Sequence, residues 1–109
     1  MIHELRIYDT MPGMLPALSQ RFANITIPLW KKHGIRPVAF WTEEIGRNTN
    51  NRLVYILEWE SLAEREKKFP AFQTDPEWIQ KRAETEKNGP LVARVENRIL
   101  RPTSYSPLK

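Results

Sequence analysis

The stretch 52-RLVYILEWESLAERE-66 decides the fold, because a strand pattern gives way to a helix pattern within it. Bulky apolar residues stand at every second position of its first half, namely Leu53, Tyr55, Leu57 and Trp59. A period of two is typical of a β-strand. Val54 and Ile56 between them are apolar too, so we expect this strand to be covered on both faces.

A helix is expected directly after this strand, because Ser61 and Glu64 have the spacing of a capping box. Pro70 is expected to break that helix, since a proline inside a helix removes a backbone hydrogen bond. Asp75, followed by a proline, has the features of an N-cap and a first helical position. The second helical piece is expected to run to about Lys87, before a Gly-Pro pair.

The N-terminal third of the chain predicts a strand followed by a long helix. Two faces alternate in residues 2–8, with His3, Leu5 and Ile7 on one and Glu4, Arg6 and Tyr8 on the other. We expect helices to cover the first face and to leave the second face free. Apolar residues at steps of three and four then predict a helix that Pro28 kinks and Gly34 ends.

The remaining segments complete a βαββαβ order. Residues 36–45 (RPVAFWTEEI) and 92–101 (VARVENRILR) have strand patterns, and the segment 46–51, rich in Gly and Asn, predicts a hairpin loop. Right-handed crossovers fold this order into a ferredoxin-like α+β domain. We expect a four-stranded antiparallel sheet with strand order 4-1-3-2 and with both helices on one face.

The first and last strands are neighbours in this arrangement, so their register can be predicted. One register pairs Glu4 with Arg98, Arg6 with Glu96 and Tyr8 with Arg94. Each such cross-strand pair on the helix-free face would contribute about 0.2–1 kcal/mol. A register shifted by one residue would scatter the charges onto the core face.

Composition is that of an ordinary globular protein with a single domain over residues 1–109. Apolar residues make up 40% and charged residues 28% of the chain, which excludes disorder by composition. The chain has no cysteine, so disulfides and thiolate chemistry are excluded. No apolar run is long enough for a membrane helix, and the first residues do not resemble a signal peptide. We therefore expect a cytoplasmic protein without a membrane partner.

Charge and histidine spacing exclude two further classes of site. The net charge is +4, but the basic residues are spread along the chain rather than clustered. An RNA-recognition motif of the same element order would need a glycine-containing aromatic run that residues 52–59 lack, so no nucleic-acid partner is expected. His3 and His33 are far apart and no cysteine accompanies them, so we expect no metal site.

The helix-free face of the predicted sheet favours self-association. It would mix apolar and aromatic side chains with charged ones, and a broad patch of that kind is costly to leave in water. Two copies packed face to face would close into an eight-stranded dimeric α/β barrel. The alternative is a monomer with a solvated sheet held by salt bridges.

The chain resembles the NIPSNAP family, a branch of the dimeric α/β-barrel superfamily, over essentially its full length. The similar stretches are ELRIYDTMPGML (4–15), KHG (32–34), AFWTEEIG (39–46), LEWESLAERE (57–66), DPEW (75–78) and ILRPTSYSPL (99–108). The resemblance implies the fold but no particular reaction. For an enzymatic member, the superfamily implies cofactor-independent or haem-linked oxygen chemistry, with His33 as the candidate haem ligand.

We expect a ligand pocket inside the barrel, lined by Arg6, Tyr8, Arg94, Arg98 and an aromatic ring from Phe40 or Trp41. Arg6 or Arg94 would pair with an anionic group of an apolar or aromatic ligand, and Tyr8 would donate a hydrogen bond. No residue can be assigned as catalytic, and neither a cofactor nor a metal is expected.

The alternative function is a non-catalytic interaction module with no ligand. Its internal charges would pair with one another, Glu4 with Arg98 and Arg6 with Glu96. The two functions differ in one observable feature of the interior. An uncompensated arginine beside an enclosed void would favour the pocket, whereas a filled and fully paired interior would favour the module.

Overall fold

The computed structural model describes residues 1–109 and shows one four-stranded antiparallel sheet with helices packed on one face. The elements are β1 (Ile2–Thr10), α1 (Leu15–Arg21), a π-helical turn (Phe22–Thr26), α2 (Ile27–His33), β2 (Arg36–Thr42), β3 (Arg52–Trp59), α3 (Leu62–Gln73), α4 (Pro76–Thr85) and β4 (Val92–Leu100). The strand order is β2-β3-β1-β4. The α+β class and the predicted strand order are therefore confirmed.

The first helical stretch contains one wide turn that the sequence pattern did not predict. The Ile27 amide donates to the carbonyl of Phe22, five residues back, at the end of the π-helical turn. Pro28 follows immediately in the first turn of α2, where its missing N–H removes no regular α-helical bond. Gly34 ends the stretch in the left-handed conformation, with a φ of 72°, as predicted.

The predicted caps are present, but the predicted break at Pro70 is wrong. The Glu64 amide donates to Ser61 Oγ (3.2 Å), which fixes the start of α3. α3 then continues through Pro70 and ends at Gln73, because Pro70 lies on the exposed side, where water can satisfy the carbonyl it leaves unpaired. The Glu77 amide donates to Asp75 Oδ1 (2.9 Å), which confirms Asp75 as the N-cap of α4.

The two faces of β1 are the reverse of the prediction. Leu53, Tyr55, Leu57 and Trp59 of β3 are buried under the helices. The register places Glu4 opposite Leu57 and Arg6 opposite Tyr55, so these two charged residues of β1 share the helix-covered face. His3 lies on the other face, where it lines a hollow with the C-terminal segment at Ser106 and Leu108.

The predicted register between β1 and β4 is also wrong, by one residue. Arg98 lies opposite Leu5, and Glu96 lies opposite Ile7. Because a slip of one residue exchanges the faces of a strand, the predicted pairs Glu4–Arg98 and Arg6–Glu96 do not form. Arg98 Nη2 instead donates to Glu96 within β4 (3.1 Å).

The helix-free face carries a compact apolar set that we call the sheet band. Its members lie next to one another across three strands: Leu5, Ile7, Ala39, Trp41, Val54 and Ile56. Trp41 is 49% exposed and the others are half-buried. No helix of the chain has both the length and the apolar character needed to cross a membrane.

Candidate ligand-binding cavity

The six residues predicted to bind a ligand lie on opposite faces of the sheet. Arg6, Tyr8 and Phe40 lie on the helix-covered face, whereas Trp41, Arg94 and Arg98 lie on the helix-free face or its rim. They therefore do not surround one pocket within the subunit, and the cause is the reversed strand faces. Two of them, Tyr8 and Arg94, do contribute to the wall of a cavity.

Glu4 is fully buried at the centre of the helix-covered face and accepts hydrogen bonds from four side chains. The donors are Arg6 (2.9 Å), Arg65 of α3 (2.7 and 3.1 Å), Trp59 (3.1 Å) and Asn97 (3.0 Å). Burial by itself would raise the pKa of Glu4, but the bonds from Arg65, Asn97 and Arg6 lower it to about 2. Glu4 is thus ionised and saturated, and it ties the sheet to α3.

Arg6 has all three guanidinium nitrogens engaged. Its Nη1 donates to Glu4, its Nε to Tyr55 Oη (2.8 Å) and its Nη2 to Tyr8 Oη (3.2 Å). The guanidinium also lies over the ring of Phe69, 5.0 Å from its centroid. Burial would lower the pKa of Arg6, but Tyr55, Tyr8 and Glu4 raise it. This arginine is committed to the core rather than to a ligand anion.

Of the two tyrosines next to Arg6, only Tyr8 has a hydroxyl proton without an acceptor in the protein. Tyr55 is fully buried, and its hydroxyl accepts from Arg6 and donates to Tyr8 Oη (2.9 Å). Burial and the neighbouring Tyr8 raise the pKa of Tyr55, so its hydroxyl keeps its proton. Tyr8 Oη accepts from both neighbours and has no acceptor of its own in the protein. Tyr8 therefore presents a free O–H donor at the cavity wall.

The cavity lies between the β1–β4 side of the sheet and helices α3 and α4, and its volume is about 390 Å³. Four aromatic rings line it: Tyr8, Phe69, Phe72 and Trp78. The Phe72 and Trp78 rings pack with their centroids 4.7 Å apart. Residues 92–95 of β4 form the opposite wall. The volume falls in the range of about 300–1,000 Å³ that is typical of small-molecule sites.

The start of α4 positions Trp78 in this wall. Asp75 caps the helix, and Lys32 Nζ (2.9 Å) and His33 Nε2 (2.7 Å) at the end of α2 bind its Oδ2. These bonds from Lys32 and His33 lower the pKa of Asp75. His33 does not fit a haem ligand, because its Nε2 is held by Asp75 between two helices. No group of three or more His, Asp or Glu side chains lies close enough together to hold a metal ion.

Arg21, at the end of α1, is the functional candidate that the sequence analysis missed. It is 6% exposed, lines the cavity and lies over the Trp78 ring at 5.6 Å. Its Nη1 donates to Thr85 (3.3 Å) and Glu86 (3.2 Å), whereas its Nε is buried without any partner. Burial lowers the pKa of Arg21, and Glu86 only partly opposes this. Arg21 is an incompletely compensated arginine beside a void.

A sequence signal for Arg21 does exist. It stands three residues after Leu18 and four before Ile25, inside the apolar stripe of the first helix. A charged residue at such a position is buried when the helix packs, so it needs a partner. The partners are on α4, distant in sequence, and this explains why the stripe alone did not reveal the site.

Comparison with known proteins finds a matching family model and similar solved structures. The NIPSNAP family model matches residues 3–107. A NIPSNAP family protein of unknown function from Agrobacterium tumefaciens is 28% identical, with a TM-score of 0.85, and the match covers 100% of this chain and 94% of that one. An uncharacterised NIPSNAP-like domain protein from Burkholderia xenovorans is 29% identical, with a TM-score of 0.83, and the match covers 97% and 88%. No curated protein matches the chain.

Proposed function

The chain belongs to the NIPSNAP family, and from that premise we propose that it binds a small apolar or aromatic ligand in the cavity between its sheet and helices α3 and α4. The observation that carries the proposal is the cavity itself, about 390 Å³ with four aromatic rings in its wall. This location differs from the predicted barrel interior, because the polar residues of β1 face the helices of their own subunit.

The lining supports a flat, largely apolar ligand. Phe69, Phe72 and Trp78 present ring faces and edges, and aromatic groups pack against such surfaces with a specific geometry. The polar groups of the lining are the Tyr8 hydroxyl, the Gln73 amide and the guanidinium groups of Arg21, Arg82 and Arg94. A mostly apolar wall with a few placed polar groups is the usual composition of a small-molecule site.

The alternative of a non-catalytic module draws support from one region only. The interior around Glu4 and Arg6 is filled and fully paired, as that alternative requires. The cavity beside Arg21 is not, and its unpartnered Nε favours ligand binding. Monooxygenase-like chemistry, which the superfamily resemblance implies, stays a prediction, and no step of such a reaction is assigned to a residue.

We also propose that the protein forms a homodimer through the sheet band. The band is continuous across β2, β3 and β1, and Trp41 at its edge is half exposed. Charged pairs flank it at one end, where Arg52 binds Asp9 (2.7 Å) and Glu43 (3.0 Å). An apolar patch with a polar rim is characteristic of an interface between proteins.

Titration with neutral aromatic probes tests the proposed cavity. Indole and 2-naphthalenemethanol should raise the melting temperature, by about 4–8 °C for each kcal/mol of stabilisation in a domain of this size. Ala93→Trp, which places a large side chain in the cavity wall, should abolish that shift. Ala71→Trp, on the exposed side of α3, is the matched control and should retain it. Equal shifts in both variants, or no shift in the parent protein, would refute the proposal.

A further inference from the structure

Three of the four arginines that are largely buried in this domain use the same edge of the guanidinium group. Arg65 donates from Nε and Nη2 to the two oxygens of Glu4 (2.7 and 3.1 Å). Arg52 binds Asp9 in the same way (2.7 and 3.2 Å). In Arg6 the Nε and Nη2 groups bond to two tyrosine hydroxyls. The parallel N–H groups of this edge match the spacing of two carboxylate oxygens.

Arg21 is the exception, because its Nε/Nη2 edge has no acceptor in the protein. Only Nη1 is bonded, to Thr85 and Glu86. Nε is buried without a partner, and Nη2 makes no hydrogen bond to the protein. A buried donor left unpaired destabilises the fold, and more so when it is charged. The unused edge belongs to a residue in the wall of the aromatic cavity.

The charged side chains around this edge, Arg21, Arg82 and Glu86, together carry one excess positive charge. Glu86 Oε2 accepts a hydrogen bond from Arg21 Nη1 and forms an ion pair with Arg82 Nε, each at 3.2 Å. Two guanidinium groups thus share a single carboxylate, and both arginines line the cavity. Glu86 occupies only the Nη1 side of Arg21, so it does not compensate the charge on the other side. One further negative charge in the cavity would complete the set.

We propose that the ligand of this cavity is an aromatic carboxylate, whose two oxygens bind the Nε and Nη2 groups of Arg21 while its ring packs among Phe69, Phe72 and Trp78. The Tyr8 hydroxyl, whose proton has no acceptor in the protein, is a third donor for the same carboxylate. This inference rests on the proposed function and adds the class of ligand and the residue that recognises it.

A matched pair of probes separates the two proposals. 2-Naphthoate and 2-naphthamide share the ring system and differ in charge, and their affinities can be compared by isothermal titration calorimetry. A charge-assisted bond replaced by a neutral one corresponds to about a tenfold to hundredfold difference in affinity, so naphthoate should bind more tightly by that factor. Arg21→Gln should erase the difference. Arg47→Gln makes the same chemical change in an exposed loop and should leave it intact.

Glu86→Gln is expected to raise the affinity for naphthoate rather than lower it. This test does not depend on whether Arg21→Gln folds. Removing the one carboxylate that competes for Arg21 should strengthen naphthoate binding several-fold and leave naphthamide binding unchanged. If naphthoate binding is unchanged or weaker in this variant, the inference is wrong.

The outcomes separate three statements: that the cavity binds a ligand, that the ligand is a carboxylate, and that Arg21 recognises it. If neither naphthalene probe binds, the proposed cavity function fails and the inference fails with it. If both bind with equal affinity, the cavity function stands and the carboxylate inference is overturned. If naphthoate is preferred but Arg21→Gln keeps the preference, the assignment to Arg21 is overturned.

Discussion

The two faces of the sheet differ in how their charged and apolar residues are covered. The face toward the helices buries Glu4, Arg6 and Tyr55 in a bonded network that leaves no nitrogen of Arg6 free. The face away from the helices exposes much of the apolar sheet band, with Trp41 at its edge. A charged pair thus lies inside an apolar core while an apolar patch lies outside, against the usual distribution.

This contrast shows that burial of charge depends on the supply of partners. Glu4 is tolerated because α3 provides Arg65, β3 provides Trp59 and β4 provides Asn97. The sheet band has no such cover in the subunit, and its natural cover is a second apolar surface. The network around Glu4 and Arg6 is therefore complete in one chain, whereas the band is incomplete without a partner.

The largest expected effect comes from removing the central carboxylate of the covered face. Glu4→Gln leaves Arg6 and Arg65 without their shared counterion, and breaking a buried pair costs about 3–5 kcal/mol. Glu96→Gln removes an exposed carboxylate that pairs with Arg98 on the other face, at a cost of about 0–1 kcal/mol. Urea denaturation measures both changes in the free energy of unfolding. Similar losses in the two variants would contradict the contrast between the faces.

Acid should lower the free energy of unfolding because it protonates Glu4. The pKa of Glu4 is lowered from 4.5 to about 2 in the folded protein, so its contribution to stability is fully present above pH 4.5. That contribution amounts to about 3 kcal/mol, and it is lost as the pH falls from 4.5 toward 2. The free energy of unfolding, measured against pH for the parent and for Glu4→Gln, should differ less at pH 2 than at pH 6. A constant difference between the two curves would exclude this linkage.

A charged side chain introduced into the sheet band should dissociate the proposed dimer. Trp41→Glu puts a carboxylate in the proposed dimer interface, and the loss of an anchoring aromatic contact there corresponds to about 2 kcal/mol or more of binding free energy. Sedimentation velocity should show a dissociated monomer. Ile45→Glu, at a residue that is 95% exposed beyond the end of β2, should leave the dimer intact. A parent protein that sediments as a monomer would refute the dimer directly.

The smallest expected effect comes from the N-cap of α3, the helix that carries Arg65. Ser61 caps α3 one turn before this arginine, and loss of a serine N-cap costs about 1 kcal/mol. Ser61→Ala should therefore lower the melting temperature by about 4–8 °C. Ser104→Ala, in the exposed C-terminal segment, removes the same hydroxyl without a cap and should change little. Equal melting temperatures for the two variants would show that the cap is not needed to hold α3.

Local signals predicted the elements well. The capping pattern at Ser61, the N-cap at Asp75 and the stop at Gly34 are each set by chemistry within a few residues of the chain. Element order and strand order followed from these boundaries. Pro70 shows the limit of this reasoning, because its effect depends on whether the freed carbonyl meets water or the core.

The faces of β1 could not be read from β1 alone, since both of its faces mix polar and apolar residues. The decisive information lay in β3, whose large residues Tyr55 and Trp59 require the space under the helices. Pairing with β3 then forces Glu4 and Arg6 to the same side. A register between distant strands is a tertiary property, and a slip of one residue reverses every conclusion about the site.

The candidate site was only partly predictable for the same reason. Tyr8 was expected on the helix-free face, whereas it lies on the covered face in the cavity wall. The cavity itself is a gap between α4 and β4, and its size depends on how far these elements stand apart rather than on any local pattern. Arg21 and Trp78 meet there although 57 residues separate them in the chain, as their numbers show.

The wide turn at Phe22–Thr26 has a consequence for how this helix can vary. One residue more than a regular helix needs is stored in that turn, and each residue of an α-helix advances about 100° around its axis. Because the wide turn absorbs that residue locally and passes no such rotation along the helix, deleting Asn24 would make the turn regular and leave α2 facing the sheet as it does now. The Trp30 ring would keep its stack on Phe40 at 6.1 Å, so this helix can lose one residue at the wide turn without losing its contact with the sheet.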